Sequence, residues 1–344
     1  MTVTLQDTGP EETRPTESAG ASSLPERRLG MRLAPYAMLG LMGVLILVFS
    51  VLRPSTFATF SNASTIAVQN AVPAVLALGL MVPLIANEFD LSVATVLGLG
   101  SILAAGLPHN QGFSAAETIA AVLLMGLLVG IVHAVLIVGF GLPSFVVTLA
   151  SSSILGGLIV LYSKDQTIFQ PLPAAISTLG TGHVFGIAIP VVFVVVLIAA
   201  LWFILDQRPE GRLLYATGAA RDAARLSGVR TDRVRAIALI VGSTVAAFAG
   251  LLLTAQVGSA DPTIYSEYFL PAFAAAFLSI AAFKLGRYNP LGVAAAVYLL
   301  AVGINGLELL GAPTWVQYVF NGGALLVAIG FSRALRVTRR VQVL

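Results

Sequence analysis

The 344-residue chain has no cysteine, so no disulfide or thiolate metal site can form. That absence is equally compatible with a reducing and an oxidising compartment. Charge is scarce as well, with Asp, Glu, Lys and Arg making up 10% of the residues. The histidines, His109, His133 and His183, are far apart and form no H-E-x-x-H pair, so nothing recommends a metalloenzyme. Of the lysines, Lys164 precedes Asp165 and Lys284 precedes Leu285. Neither is followed by the Ser or Thr that a nucleotide-binding P-loop requires, so the chain does not hydrolyse ATP by that route. No cluster of nucleophile, base and acid suggests a membrane-embedded enzyme.

What is present is apolar: 57% of the residues are hydrophobic and the mean hydropathy is +0.93. Such a chain has too little polar surface to cover a water-soluble globule, so lipid is its main solvent. In hydrocarbon an unpaired backbone group is costly, which leaves helices or a closed barrel. The apolar runs are mostly about 17 to 23 residues long and do not alternate, which decides for helices. Ten candidate spans follow: Leu33–Leu52, Thr65–Ala86, Leu91–Leu107, Thr118–Phe140, Ser144–Tyr162, Phe185–Leu205, Val234–Gln256, Leu270–Phe283, Pro290–Leu310 and Trp315–Ser332. The third and eighth are short. The expected fold is an all-α integral membrane protein of about ten transmembrane helices in one bundle, some short or broken.

Orientation follows from the basic residues, which concentrate on the cytoplasmic side. With the N-terminus inside, the inner segments hold Arg14, Arg27, Arg28 and Arg32, then Arg208, Arg212, Arg221, Arg225, Arg230, Arg233 and Arg235. Lys284, Arg287, Arg333, Arg336, Arg339 and Arg340 join them, leaving only Arg53 and Lys164 outside. Both termini are therefore expected in the cytoplasm. The basic residues are segregated along the chain, and with a formal charge of only +3 they report topology, not nucleic-acid binding. Residues 1–32 are rich in Pro, Glu, Thr and Ser and are expected to form a disordered cytoplasmic tail. Residues 33–333 form the membrane domain with an inner loop over 206–235, and 334–344 a basic cytoplasmic tail. A cleaved signal peptide is not expected, because the first apolar run follows an acidic stretch and is long enough to span.

Small residues recur at helical spacing, as in Gly126, Gly130 and Ala134 or Gly242, Ala246 and Gly250, which lets helix backbones approach closely. A weak echo links Pro73–Asp90 with Pro271–Asn289: each runs from a proline through an apolar stretch to a polar break before a Gly- and Ala-rich helix. Either these are two related halves with short or broken helices, where transporter sites lie, or the likeness is a chance one between apolar segments. Within the 206–235 loop, Gly218–Gly228 (GAARDAARLSG) has helix formers between two glycines, with Arg221 and Arg225 one turn apart. It reads as a short helix that docks into a partner's groove, or as a basic juxtamembrane helix held at anionic headgroups. Gly228 suits the position just past a helix end.

Polar groups at membrane depth point to function by default. Asp90 precedes a helix whose amides are open, so it either caps that end or lines a pathway, and both roles are compatible. Glu88 is read as lying at the inner interface. Asn70, Ser92, Thr148, Ser151, Asn305 and Asn321 are candidates to line a pathway for a hydroxyl-rich solute, although each also suits an interhelical hydrogen bond. His133 is expected to pack against a neighbouring polar group in preference to relaying protons.

The chain resembles the permease subunits of ribose-type ABC sugar importers over about residues 33–332. The loop segment Asp222, Ala223, Ala224, Arg225, Leu226, Ser227, Gly228 is similar to that family's coupling segment. Asp90-Leu91-Ser92-Val93 looks like its Asp-Leu-Ser-Val. Pro143 to Leu149 resembles its Pro-Pro-Phe-Ile-Val-Thr-Leu, and Asn305-Gly306-Leu307 with Leu309 its Asn-Gly-Leu-x-Leu. The sequence departs from the pattern at Asn87 and Glu88, where glycines are usual, at Ala281–Asn289 in place of a Gly-rich segment, and at Glu308 in place of Asn.

The resemblance implies a permease without ATPase activity or bound cofactor of its own, in a bacterial cytoplasmic (inner) membrane. An ABC ATPase subunit carrying ATP and Mg would dock at Gly218 and Asp222–Gly228. A second permease copy, an extracytoplasmic solute-binding protein and membrane lipid would be the other partners, and transport would proceed by alternating access. The alternative is an ion-coupled secondary transporter that uses carboxylates such as Asp90 or Glu88. A purely structural scaffold would carry nothing.

Overall fold

A computed structural model describes residues 34–169 and 171–341, and these are almost entirely helical. Each apolar run overlaps a helix over its described residues. After a 3-10 turn at Ala34–Tyr36 come α1 (Ala37–Leu52), α2 (Phe60–Gln69), α3 (Ala71–Ile85), α4 (Val93–Gln111), α5 (Ala115–Ala134) and α6 (Ser144–Ser163). A short α7 (Ala174–Thr181) and a two-stranded hairpin, His183–Val184 with Ile187–Ala188, lead into α8 (Ile189–Trp202). Then follow α9 (Pro209–Ala219), α10 (Arg221–Leu226), α11 (Thr231–Val257), α12 (Tyr265–Leu278), α13 (Pro290–Leu309) and α14 (Trp315–Val341). Single π-helical turns extend α5 to Gly139 and α8 to Gln207.

Seven helical segments are long and apolar enough to cross a membrane, namely 60–85, 93–111, 115–139, 144–163, 189–207, 231–257 and 290–309. The chain is a multi-pass membrane protein. The described helices differ from the expected spans in several places: the second is divided at Asn70 into α2 and α3, and the eighth is the 14-residue α12, which is not among the seven. The third is longer than its apolar run, because Pro108 and His109 continue α4 to Gln111. The sixth begins only at Ile189, since Phe185 and Gly186 turn the hairpin with positive φ. The last runs on as backbone helix through the basic segment to Val341.

The core is organised around α11, which packs against α3, α4 and α5. The small-residue spacing explains how. A Cβ on Gly130 would meet the backbone of Ile240, one on Gly126 would meet Ala247 and Ser243, and one on Gly250 would meet the Leu97 carbonyl. Side chains there would hold the axes apart and forfeit dispersion contacts along both helices. Beside the crossings, Ser101 and Thr254 hydroxyls bond each other at 2.7 Å between α4 and α11.

The echo between residues 73–90 and 271–289 has a structural counterpart. In the first half, α3 ends at a break where Asn87 has φ 61°, followed by Asp90 and then α4. In the second, α12 ends at a break where Phe283 has φ 56°, followed by Asn289 capping α13. The two leading helices, α3 and α12, pack against each other.

These contacts give a paired prediction. Gly250→Ala drives a methyl into a backbone carbonyl and should destabilise by about 1–3 kcal/mol. Gly43→Ala on α1, where the added methyl meets nothing, should stabilise by up to about 1 kcal/mol through helix propensity. Thermal unfolding in one detergent reads both, and shifts of the same sign would contradict this packing.

Candidate functional site

The 206–235 segment folds as two helices, not one. α9 runs through Gly218 to Ala219, Ala220 breaks it with an extended backbone, and α10 spans Arg221–Leu226. Gly218 therefore does not bound the short helix as its place in the sequence suggested. It lies inside α9, where its missing side chain lets the backbone rest on the Ile85 carbonyl at the end of α3. At the other end, Gly228 takes φ 85° just past α10, and the Val229 amide bonds the Ala224 carbonyl at 3.0 Å. Only Ala224 of this helix is buried. Asp222, Ala223, Arg225 and Ser227 are exposed, and Leu226 is 90% exposed.

What holds α10 in place is a carboxylate. Glu88, in the α3–α4 break, is 2% exposed, and its Oε1 accepts from Arg221 Nη2 at 2.8 Å and from Arg235 Nε at 2.5 Å. Arg235 lies in the first turn of α11, with Asp232 3.8 Å away. A carboxylate this deep is tolerable only when paired and hydrogen-bonded, and two guanidinium groups meet that requirement. The Arg235 arm is the dry one, its side chain 9% exposed against 41% for Arg221, so solvent weakens the Arg221 arm.

A second set of contacts ties the other break to the same segment. Lys284 Nζ lies 2.5 Å from Asp206 Oδ1, and the Tyr215 hydroxyl donates to the Tyr288 carbonyl at 2.6 Å. The Arg287 guanidinium sits 4.0 Å from the centre of the Tyr215 ring, and burial pushes that phenol up to about 12. Glu88 on one side and Lys284, Arg287 and Tyr288 on the other come from the two helix breaks. Here they grip the 206–235 segment. The charges of Glu88, Lys284 and Arg287 in otherwise apolar halves were the only sequence signal for this.

Asp90 and the Pro143–Leu149 segment also come together. Asp90 is 1% exposed, and its Oδ1 accepts from the Ser92 amide at 2.9 Å and the Ser92 hydroxyl at 2.6 Å. This tightens the turn before α4 without reaching the open amides inside the helix, and Oδ2 has no protein partner. Across the gap, the Phe89 amide donates to Ser144 Oγ at 3.2 Å and the Leu91 amide to Thr148 Oγ1 at 3.1 Å. The Thr148 hydroxyl itself donates to the Ser144 carbonyl at 2.8 Å. Asp90, Ser92 and Thr148 thus form one cluster joining α4 to α6.

Asn70 and Asn321 meet elsewhere. With Glu267, Tyr268 and Gln317 they line a cavity of about 150 Å³ between α3, α12, α13 and α14. Asn70 lies at the start of α3 and Glu88 beyond its end, so the cavity opens toward the opposite end of the bundle from α10. Asn321 is 4% exposed and its Oδ1 has no protein partner. The remaining candidates stand apart from both clusters. Asn305 accepts from Asn62 at 2.9 Å, and Ser151 faces an apolar groove between α5 and α6. His133 borders that groove fully buried, with no hydrogen-bond partner on either ring nitrogen, so the polar neighbour expected for it is not found.

The family described as branched-chain amino acid transport system / permease component matches residues 62–329. The chain belongs to this family. Among its relatives, the ribose import permease protein RbsC of Bacillus subtilis is 30% identical over 306 residues, covering 88% of this chain and 92% of the relative. The Haemophilus influenzae protein of the same name is 29% identical, covering 83% and 89%. The xylose transport system permease protein XylH of that organism is 26% identical, covering 87% and 96%. No solved structure matches the chain. Within this permease family the Gly218–Gly228 segment and the two polar clusters lie inside the matched region, whereas the first helix precedes it.

Thr148→Val removes the acceptor for the Leu91 amide while keeping the shape of the side chain. The variant should lose about 1–3 kcal/mol, measured by thermal unfolding. An unchanged midpoint would mean that the break is not held by α6.

Proposed function

We propose that the chain is the membrane-spanning permease subunit of an ATP-binding-cassette importer for a sugar or a related small polar solute, in a bacterial cytoplasmic membrane. It crosses ten times with both termini in the cytoplasm. A separate ATPase subunit, bearing ATP and Mg, docks on Gly218 and the Asp222–Gly228 segment, and an extracytoplasmic binding protein delivers the solute. Alternating access then carries the solute across without chemistry on it.

The observation that carries this reading is the outward presentation of α10. A short helix with Ala223, Arg225 and Leu226 facing solvent, fastened from beneath by Glu88, is a surface that no other described residue covers. Sugar relatives matched over more than four-fifths of the chain supply the substrate class. The cavity lined by Asn70, Glu267, Gln317 and Asn321 suits that class, since amides donate to and accept from hydroxyls and a carboxylate accepts from them. Asp90, Ser92 and Thr148 stand on the pathway further in. Exposed apolar faces, such as Leu127, Leu128 and Ile131 on α5 and Ile154 and Leu161 on α6, meet lipid and a second permease copy.

The reading is tested in vesicles holding the permease, its ATPase and its binding protein, with ribose, xylose and allose as probes. Uptake should require ATP. Ala223→Glu and Gly228→Pro should abolish co-purification of the ATPase, the latter because a left-handed φ of 85° is closed to proline. Asn321→Leu should lower uptake about tenfold or more, the scale of one lost hydrogen bond to substrate, and leave ATPase binding intact. Uptake driven by an ion gradient with no ATPase would instead select a secondary transporter.

A further inference from the structure

We infer that Glu88 is a positioning residue for energy coupling: it fastens α10 to the α3–α4 break, so that a displacement of α10 reaches the Asp90 turn through its bonds to Arg221 and Arg235. This rests on the reading of Asp222–Gly228 as the ATPase dock.

The geometry supplies a continuous path. Among the described residues, the polar side-chain attachment of α10 to the membrane domain is Arg221 to Glu88. Glu88 sits in a segment that cannot relax into helix, because Asn87 holds φ 61° and the Glu88 amide is already committed to the Pro83 carbonyl at 2.9 Å. One residue on, the Phe89 amide bonds Ser144 at the start of α6. Two residues on, Asp90 bonds Ser92 at the start of α4. A pull on Arg221 therefore acts on the N-terminal ends of two helices at once. The close seating of Gly218 on the Ile85 carbonyl keeps α9 from sliding past α3 to absorb that motion. An ion pair serving stability alone would have no reason to join these elements, and well-packed apolar residues would stabilise as well or better.

The cysteine-free chain allows a direct test in the assembled complex, with spin labels at Phe89→Cys and at Ala220→Cys, the latter exposed at the start of α10 and outside the docking segment. With Arg221 present, the labels should keep one narrow separation with and without nucleotide, because α10 and the break move together. Arg221→Gln should broaden or shift that separation on adding ATP. In vesicles the same variant should still bind the ATPase and hydrolyse ATP, with uptake of ribose, xylose or allose per ATP reduced about tenfold, the scale of one charge-assisted hydrogen bond. Arg221→Lys should recover most of it. Glu88→Gln should behave like Arg221→Gln. Should it fail to fold, Arg221→Gln decides alone, since that side chain is 41% exposed.

An unchanged label separation in Arg221→Gln, or uptake per ATP equal to wild type, overturns the assignment. Failure of the docking reading is separate: Ala223→Glu and Gly228→Pro would then leave ATPase co-purification intact, and that result removes both proposals.

Discussion

A carboxylate shut away from water cannot remain charged without partners, and Glu88 draws one end of the helix bundle together for that reason. Its two arginines come from different places, Arg221 from the short α10 and Arg235 from the first turn of the central α11. Satisfying one buried oxygen therefore fixes the α3–α4 break, the exposed helix and the start of the core helix relative to one another. The contacts of Lys284, Arg287 and Tyr288 with Asp206 and Tyr215 repeat the arrangement around the second break with lesser burial. The arginine-dense loop is thus clamped from both halves.

Two breaks in the helices raise a second constraint, because each frees backbone groups that hydrocarbon will not solvate. The chain answers with short polar side chains. Ser144 and Thr148 accept the Phe89 and Leu91 amides in the first half, and Asn289 accepts the Gly292 amide in the second. Between the breaks the glycines of α5 and α11 allow backbones to touch. That compactness supplies dispersion contacts where apolar burial gives little driving force against lipid.

The helices were legible in the sequence because runs of apolar residues at membrane length have few other solutions, and seven of the helical segments are long and apolar enough to cross a membrane. Local signals carried other features: Gly228 past a helix end, the small-residue crossings, and the echo between the halves. Long-range pairing was not legible. Nothing near Glu88 in the chain names Arg221 or Arg235, more than 130 residues away. Gly218 was misleading for a related reason. Glycine marks either a helix end or a close approach, and only the third dimension places Ile85 against it. Of the polar pathway candidates, Asn70 and Asn321 share a cavity and Asp90, Ser92 and Thr148 share a turn. Asn305 and Ser151 joined neither, because a polar residue in a span serves helix packing as readily as a pathway.

The two related breaks are not equally stiff. Asn289 uses both ends of its amide, donating to the Ser279, Ala282 and Arg287 carbonyls and accepting from Gly292, so the second break is locked on every side. Asp90 at the matching place uses one oxygen within its own turn and leaves the other without a protein partner. Changing the second break means rupturing several buried hydrogen bonds together. The first is held from outside its own turn by Ser144 and Thr148 of α6 and by the α10 and α11 arginines that Glu88 binds. One corner is thus fixed within its own turn and the other answers to its neighbours, and the answering corner is the one joined to α10.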